Sequence, residues 1–147
     1  MSEPVLLVTV AGERVAFPAG AITTVVELEK VTPVPRAPSH VSGITALRSR
    51  GMVVIDCAAA LENRAARPAT PGSMAVVTSP DGFAYALMVD EVHDIAEIVD
   101  GPSPMRLKLP ANWQAVCLGQ VQAGEETLVL VDPERIISAT REIAAVA

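Results

Sequence analysis

The sequence predicts an all-β protein with a few short helices. Apolar residues make up 50% of the 147-residue chain, but only two Phe, one Tyr and one Trp are among them. The core must therefore be built mainly from Val, Ile, Leu and Ala, and the β-branched residues favour extended backbone. Twelve Pro and nine Gly supply the chain reversals that short strands require. The length is that of about one domain, so we predict a single domain over residues 1–147.

The first half predicts five strands and one helix. The predicted strands are Val5–Val10, Arg14–Phe17, Thr23–Leu28, Ile44–Leu47 and Met52–Ile55. Three prolines interrupt the loop before Ser42, which excludes a helix or a regular ladder there. Asp56 precedes the segment CAAALE, for which we predict a short helix with Asp56 as its N-cap.

The second half predicts a similar order after a linker-like segment at residues 63–72. The predicted strands are Met74–Thr78, Phe83–Val89, Glu91–Ile98, Val116–Val121 and Thr127–Val131. An Asp-Gly pair marks the turn of the first hairpin. Residues 100–112 predict a Pro-rich loop. Asp132 and Pro133 predict the cap and first residue of a C-terminal helix.

The two halves share a sequence pattern. Val25-Val26-Glu27-Leu28 corresponds to Ile95-Ala96-Glu97-Ile98, and Val54-Ile55-Asp56 corresponds to Leu130-Val131-Asp132. Equivalent residues are about 70 to 76 positions apart. The pattern predicts two pseudo-repeated β-subdomains of about five strands each, with the linker near residues 63–72. Units of this size bury little surface alone, so we expect them to share a hydrophobic core.

Charge and hydropathy restrict the partners. A net charge of −6 disfavours binding to nucleic acid and to anionic lipid. No uncharged run reaches the roughly 18 apolar residues that a membrane span requires. Glu3 stands where a signal peptide would carry positive charge. We therefore expect a cytoplasmic protein with no nucleic-acid partner and no direct membrane insertion.

No residue pattern predicts a catalytic site, a cofactor site or a metal site. His40 and His93 have no nucleophile in a recognisable arrangement nearby. Cys57 and Cys117 lack the closely spaced Cys or His ligands that a zinc site needs, so we predict two core thiols. The acids at residues 90–94 are interpreted as a solvated edge. We expect a binding protein and not an enzyme.

The segment VPRAPSHVSGITALRSRGMVVID resembles the signature of the CheW-like family, the coupling proteins of bacterial chemotaxis. The matching residues are Pro35, Pro38, Gly43, Leu47, Arg48, Ile55 and Asp56. The segments ALMVDEVHDI and LVLVDPERII resemble later motifs of the same family. The chain departs from the family pattern at Ala46, Ser49 and Val53, where Asn, Gly and Pro are usual.

The resemblance implies a fold of two SH3-like five-stranded β-barrels. It also implies a non-catalytic adaptor without a cofactor. Such an adaptor binds the regulatory domain of a CheA-type histidine kinase and the cytoplasmic tips of chemoreceptors, and protein contacts recruit it to membrane-bound receptor arrays. In the family a groove between the barrels receives the receptor, and the corresponding residues are Val25, Glu27, Gly43, Leu47 and Arg48. The resemblance assigns no residue to the kinase interface.

Two details of this groove follow from residue chemistry. Alternation along the strand predicts that Val25 and Glu27 share an exposed face and that Val26 is buried. Arg48 is either a solvated hairpin tip or a planar donor that fixes the loop, and Arg50 is interpreted as solvated.

Two alternative functions remain open at this point. One is a CheW-like scaffold in a non-flagellar kinase pathway, such as surface motility or development. The other is a β-barrel that binds a small ligand or nucleic acid.

Overall fold

A computed structural model describes residues 3–47, 49–98, 101–106 and 108–146, without the side chains of Leu47 and residues 141–146. The strands in the described residues are β1 Glu3–Val10, β2 Glu13–Pro18, β3 Thr24–Glu27, β4 Val41–Leu47, β5 Arg50–Asp56, β6 Met74–Thr78, β7 Tyr85–Val89, β8 Glu91–Ile98, β9 Cys117–Ala123 and β10 Glu126–Val131. The α-helices are α1 Cys57–Glu62, α2 Ala111–Val116 and α3 Pro133–Val146, and a 3-10 turn covers Ala19–Ala21.

The strands form two five-stranded sheets. Sheet A has the order β8-β1-β2-β10-β9, and sheet B has the order β3-β6-β7-β5-β4. Neighbouring strands are antiparallel except for β2 with β10 and β5 with β7, which are parallel. A mostly β fold with two five-stranded sheets and short helices agrees with the predicted fold class.

The two sheets do not coincide with the two halves of the sequence. Sheet B is built from the continuous stretch β3 to β7, whereas sheet A joins β1 and β2 to β8, β9 and β10. Four strand pairs join one half of the chain to the other: the parallel pairs β2–β10 and β5–β7 and the antiparallel pairs β1–β8 and β3–β6. Residues 63–72, which we predicted as the linker between subdomains, instead connect α1 to β6 on the side of sheet B. The chain passes between the sheets after β2 and again at Asp90.

A shared apolar core lies between the sheets. Its largest fully buried side chains include Phe17 from sheet A, Ile55 and Leu87 from sheet B, and Ile136 from α3. Each sheet also has a smaller apolar cluster of its own. The cluster of sheet A includes Val5 and Leu128; that of sheet B is considered below.

The helices differ from the prediction at one place. Helix α1 covers the predicted CAAALE segment, and α3 begins at Pro133. Helix α2 lies where we predicted the end of a loop and the start of a strand. Trp113 and Val116 are three residues apart and both pack against the shared core, and this burial stabilises a helical turn that the Pro-rich sequence does not suggest. No helix in the described part of the chain is long and apolar enough to cross a membrane.

Candidate functional site

Sheet B carries a groove of about 680 Å³ beside its two edge strands. The sheet B groove is lined by Val26, Glu27, Leu28, Glu29, Lys30, Thr32, Ile44, Thr45, Ala46, Gly51 and Met52. The first six residues come from β3 and the segment after it. The others come from the β4–β5 hairpin.

A two-residue bridge joins the two sides of the groove. The backbone N–H of Thr32 donates to the Ile44 carbonyl at 2.8 Å, and the N–H of Ile44 donates to the Thr32 carbonyl at 2.9 Å. The Thr45 hydroxyl adds a hydrogen bond to the Lys30 carbonyl at 2.6 Å. The segment after β3 is thus held against the edge of β4.

Gly43 makes this close approach possible. A Cβ atom at residue 43 would collide with the Thr32 carbonyl oxygen and come within 2.9 Å of the Val31 side chain. Gly119 has the same relation to Ser103 in sheet A, where Ser103 forms a bridge with Gln120. The two glycines therefore occupy equivalent places in the repeat. Because Gly43 has no side chain, the segment after β3 can approach β4 closely enough to form the groove wall.

The groove has an apolar floor and a charged rim. Leu28 and Met52 are buried, and Val26 is half-buried against the cluster that they form with neighbouring residues. Ile44 is 46% exposed although it lies in a strand, because β4 is the edge of its sheet. Glu27, Glu29 and Lys30 are exposed. This combination suits an apolar side chain of a partner surrounded by polar contacts.

The structure separates the residues predicted for the receptor groove. Glu27 lines the sheet B groove, and Gly43 supports its wall. Val25 points to the opposite face of β3, where it is half-buried against the shared core. The predicted contrast between an exposed Val25 and a buried Val26 is therefore wrong. Both are half-buried because each face of β3 covers a different apolar cluster.

The arginines of the β4–β5 turn are only partly described. Arg48 and the side chain of Leu47 lie outside the described residues. The Leu47 backbone pairs with that of Arg50, and Arg50 is exposed at the start of β5.

The two predicted helix caps lie at equivalent points of the repeat. Asp56 is fully buried, and its Oδ1 accepts hydrogen bonds from the N–H groups of Ala58 at 3.1 Å and Ala59 at 3.4 Å. Asp132 Oδ1 accepts from the N–H of Glu134 at 3.0 Å. Within the described residues, no group of three or more His, Cys, Asp or Glu could hold a metal ion.

The cysteines and the buried histidine show no sign of an activated group. Burial raises the pKa of the Cys57 thiol, and the nearby carboxylates of Asp56 and Asp90 raise it further, so the thiol stays protonated. Cys117 is half-buried and not fully buried, unlike the core thiol that we predicted. Burial lowers the pKa of His40, an effect that the charge of Asp56 opposes. Cys57 and His40 are therefore interpreted as packed side chains.

Three features were missed by sequence reasoning. Ile44 is an aliphatic strand residue, and only its place on an edge strand reveals the exposure. Ile95 on β8 is 66% exposed, whereas its counterpart in the repeat, Val25, is half-buried, so the repeat pattern does not indicate this exposure. The sequence pattern gives no reason to expect the contacts of Arg67 with Asp56 and Asp90, because Arg67 lies in the linker-like segment.

The crystal structure of the scaffolding protein TtCheW from Thermoanaerobacter tengcongensis is similar to this chain. The match has a TM-score of 0.74 and 20% sequence identity, and it covers 89% of this chain and 89% of that protein. At this identity the likeness establishes the fold. A search of curated protein sequences gives no match. The model of the CheW-like domain matches residues 4–141, which is most of the chain. The chain therefore belongs to the CheW-like family, whose members are scaffold or adaptor proteins of chemotaxis.

Proposed function

We propose that this chain is a non-catalytic adaptor that couples chemoreceptors to a CheA-type histidine kinase. Membership in the CheW-like family supports the adaptor class. The observation that carries the proposal is the pair of partly exposed apolar surfaces on opposite sides of β3. An adaptor that joins two partners needs two separate sites, and Val25 and Val26 point to opposite faces of β3, each towards one of the two surfaces.

The first surface is the junction between the sheets, which we assign to the receptor tip. Val25 lies opposite Val76, and Ile95 lies opposite Leu6. Val76 and Leu6 both belong to the shared core. Val25 and Ile95, which are equivalent in the repeat, therefore lie on the sheet faces that turn towards the junction. An isoleucine that is 66% exposed beside a core strand is a candidate anchor for an apolar partner.

The second surface is the sheet B groove, which we assign to the regulatory domain of the kinase. Its buried floor of Leu28 and Met52 and its exposed Ile44 suit an apolar edge of a β-rich partner. Glu27 and Glu29 at the rim favour a partner with basic residues. Gly43 belongs to this side of the molecule in the proposal, whereas the family pattern had placed it with the receptor. The assignment of Leu47 and Arg48 to the receptor rests on the family pattern alone.

The proposal also concerns shape and location. Each sheet is proposed to close as an SH3-like barrel, and the bridges Thr32–Ile44 and Ser103–Gln120 support closure because each ties the segment after one edge strand to the opposite edge. The protein is proposed to act in the cytoplasm and to reach membrane-bound receptor arrays through protein contacts.

The test compares two charge substitutions against two partners. We expect Ile44→Lys to weaken binding of the kinase regulatory domain at least tenfold, about 1.4 kcal/mol, and to leave binding of a receptor cytoplasmic fragment unchanged. Ile95→Lys should show the reverse. Leu118→Lys, a partly exposed aliphatic residue on β9, is the matched control and should change neither affinity. Equal losses for both partners with either substitution would contradict the assignment of two separate surfaces.

A further inference from the structure

The chain crosses from sheet B to sheet A at a single residue. Strand β7 ends at Val89 and β8 begins at Glu91, so Asp90 is the whole connection. The other crossing, between β2 and β3, runs through the turn at Ala19–Ala21 and is longer. Any change in the relative position of the sheets at this end must therefore involve the backbone of Asp90.

Asp90 is fastened to sheet A by its own backbone and side chain. Its N–H donates to the Thr9 carbonyl at 2.9 Å, and its Oδ2 accepts from the Gly12 N–H at 3.2 Å. Thr9 lies in β1, and Gly12 lies in the turn between β1 and β2. Asp90 is thus hydrogen-bonded to the β1–β2 hairpin of sheet A.

Asp56 is hydrogen-bonded within sheet B in a corresponding way. It is the last residue of β5, its side chain is fully buried, and its N–H donates to the His40 carbonyl at 2.9 Å. Besides capping α1, its carboxylate accepts from the backbone N–H of Arg67 at 3.0 Å and from Arg67 Nε at 3.2 Å.

Arg67 connects Asp56 with Asp90. Its Nη2 lies 3.1 Å from Asp90 Oδ1 and 3.5 Å from Asp56 Oδ1, so one planar guanidinium contacts both carboxylates. These hydrogen bonds raise the pKa of Arg67, which keeps the group charged. The shared apolar core holds the sheets together as a whole, whereas the Arg67 bridge (Asp56, Arg67 and Asp90) acts only where the chain crosses.

We propose that the Arg67 bridge is a lock on the second crossing, which restrains local opening of the sheets at Asp90. Because the Arg67 side chain is 51% exposed and that of Asp90 is 27% exposed, added salt weakens the lock by screening. An acidic side chain or phosphate group of a partner that competes for Arg67 would release it. The lock makes the geometry of the inter-sheet junction adjustable without unfolding either sheet.

Arg64 provides a matched control. It lies on the same segment, and its Nη1 is 3.8 Å from Asp56 Oδ2, but its Nε pairs with Glu62 at 3.6 Å. Among the described residues it forms no hydrogen bond or ion pair with Asp90. Replacing Arg64 removes the same charge without cutting the connection between the sheets.

The test is amide hydrogen exchange, followed for Asp90, Gly12 and Val54. Val54 is a buried residue of β5 and reports sheet B alone. We expect Arg67→Ala to speed exchange of Asp90 and Gly12 about fivefold while Val54 is unchanged, and Arg64→Ala to leave all three unchanged. Raising NaCl should speed exchange of Asp90 in the natural protein and have no such effect in Arg67→Ala.

Two results would overturn the lock. One is an unchanged exchange rate of Asp90 in Arg67→Ala. The other is an equal acceleration of Val54, which would show that Arg67 contributes to global stability only. If Arg67→Ala does not fold, the salt dependence of Asp90 exchange in the natural protein decides the matter, because a rate that is independent of salt contradicts the proposal.

Discussion

Replacing Gly43 by alanine tests whether the wall of the sheet B groove depends on the absence of a side chain. The new Cβ would overlap the Thr32 carbonyl oxygen, so the segment after β3 must move away from β4. That movement breaks the two hydrogen bonds of the bridge, which are 2.8 and 2.9 Å long. At about 1 kcal/mol each, their loss lowers the free energy of unfolding by about 2 kcal/mol.

The assay is thermal unfolding followed by circular dichroism. For a domain of this size, a loss of about 2 kcal/mol lowers the Tm by roughly 4 to 8 °C. Gly51→Ala is the control in the same hairpin, since a Cβ at Gly51 meets no atom of the described residues within 4 Å. We expect its Tm to stay within about 2 °C of the natural protein. A Gly43→Ala variant that melts with the control would refute the argument that close packing requires glycine there.

Three further predictions concern the caps, the thiols and the buried histidine. Asp132→Ala should lower the free energy of unfolding by about 1 kcal/mol in urea titrations. Asp56→Ala should lower it by more, because the hydrogen bonds to Arg67 are lost as well. Added Ca²⁺ or Mg²⁺ should not raise the free energy of unfolding of either variant, and a metal-dependent gain would contradict the capping role. A reductant should leave the Tm unchanged, since Cys57 and Cys117 are free, and a fall of more than about 4 °C would indicate a stabilising disulfide. Because the pKa of His40 is lowered in the folded state from its ordinary 6.5, the unfolded chain binds more protons just below that pH, so stability should fall as the pH drops through 6.5 towards the folded pKa. His40→Asn should flatten this slope in urea titrations between pH 7 and pH 5, and a slope that persists in the variant would contradict the assignment to His40.

Local chemistry accounts for the parts of the fold that the sequence predicted well. The hairpins form between neighbouring strands across turns rich in Gly, Pro and Asp, so their pairing needs no information from the rest of the chain. Helix α1 was predicted at the correct bounds because Asp56 and the alanines that follow carry both a cap and high helix propensity.

Contacts between distant residues explain what the sequence did not reveal. The pairs β1–β8, β2–β10, β3–β6 and β5–β7 join strands that no turn connects, and they decide how the halves mix in the two sheets. The exposure of Val25 depends on the shared core beneath it, to which β1, β2 and β6 contribute. Arg67 contacts Asp90, 23 residues away, and its charge alone would suggest a solvated loop residue.

The central claim is that one chain holds a receptor and a kinase together through two separate surfaces. The most direct measurement immobilises a receptor cytoplasmic fragment and records retention of the kinase regulatory domain with and without this protein. The account predicts retention only when the protein is present, and it predicts that Ile44→Lys lowers retention of the kinase domain at least tenfold while the variant itself stays bound to the receptor. Equal retention of the kinase domain without the protein, or with Ile44→Lys, would contradict it.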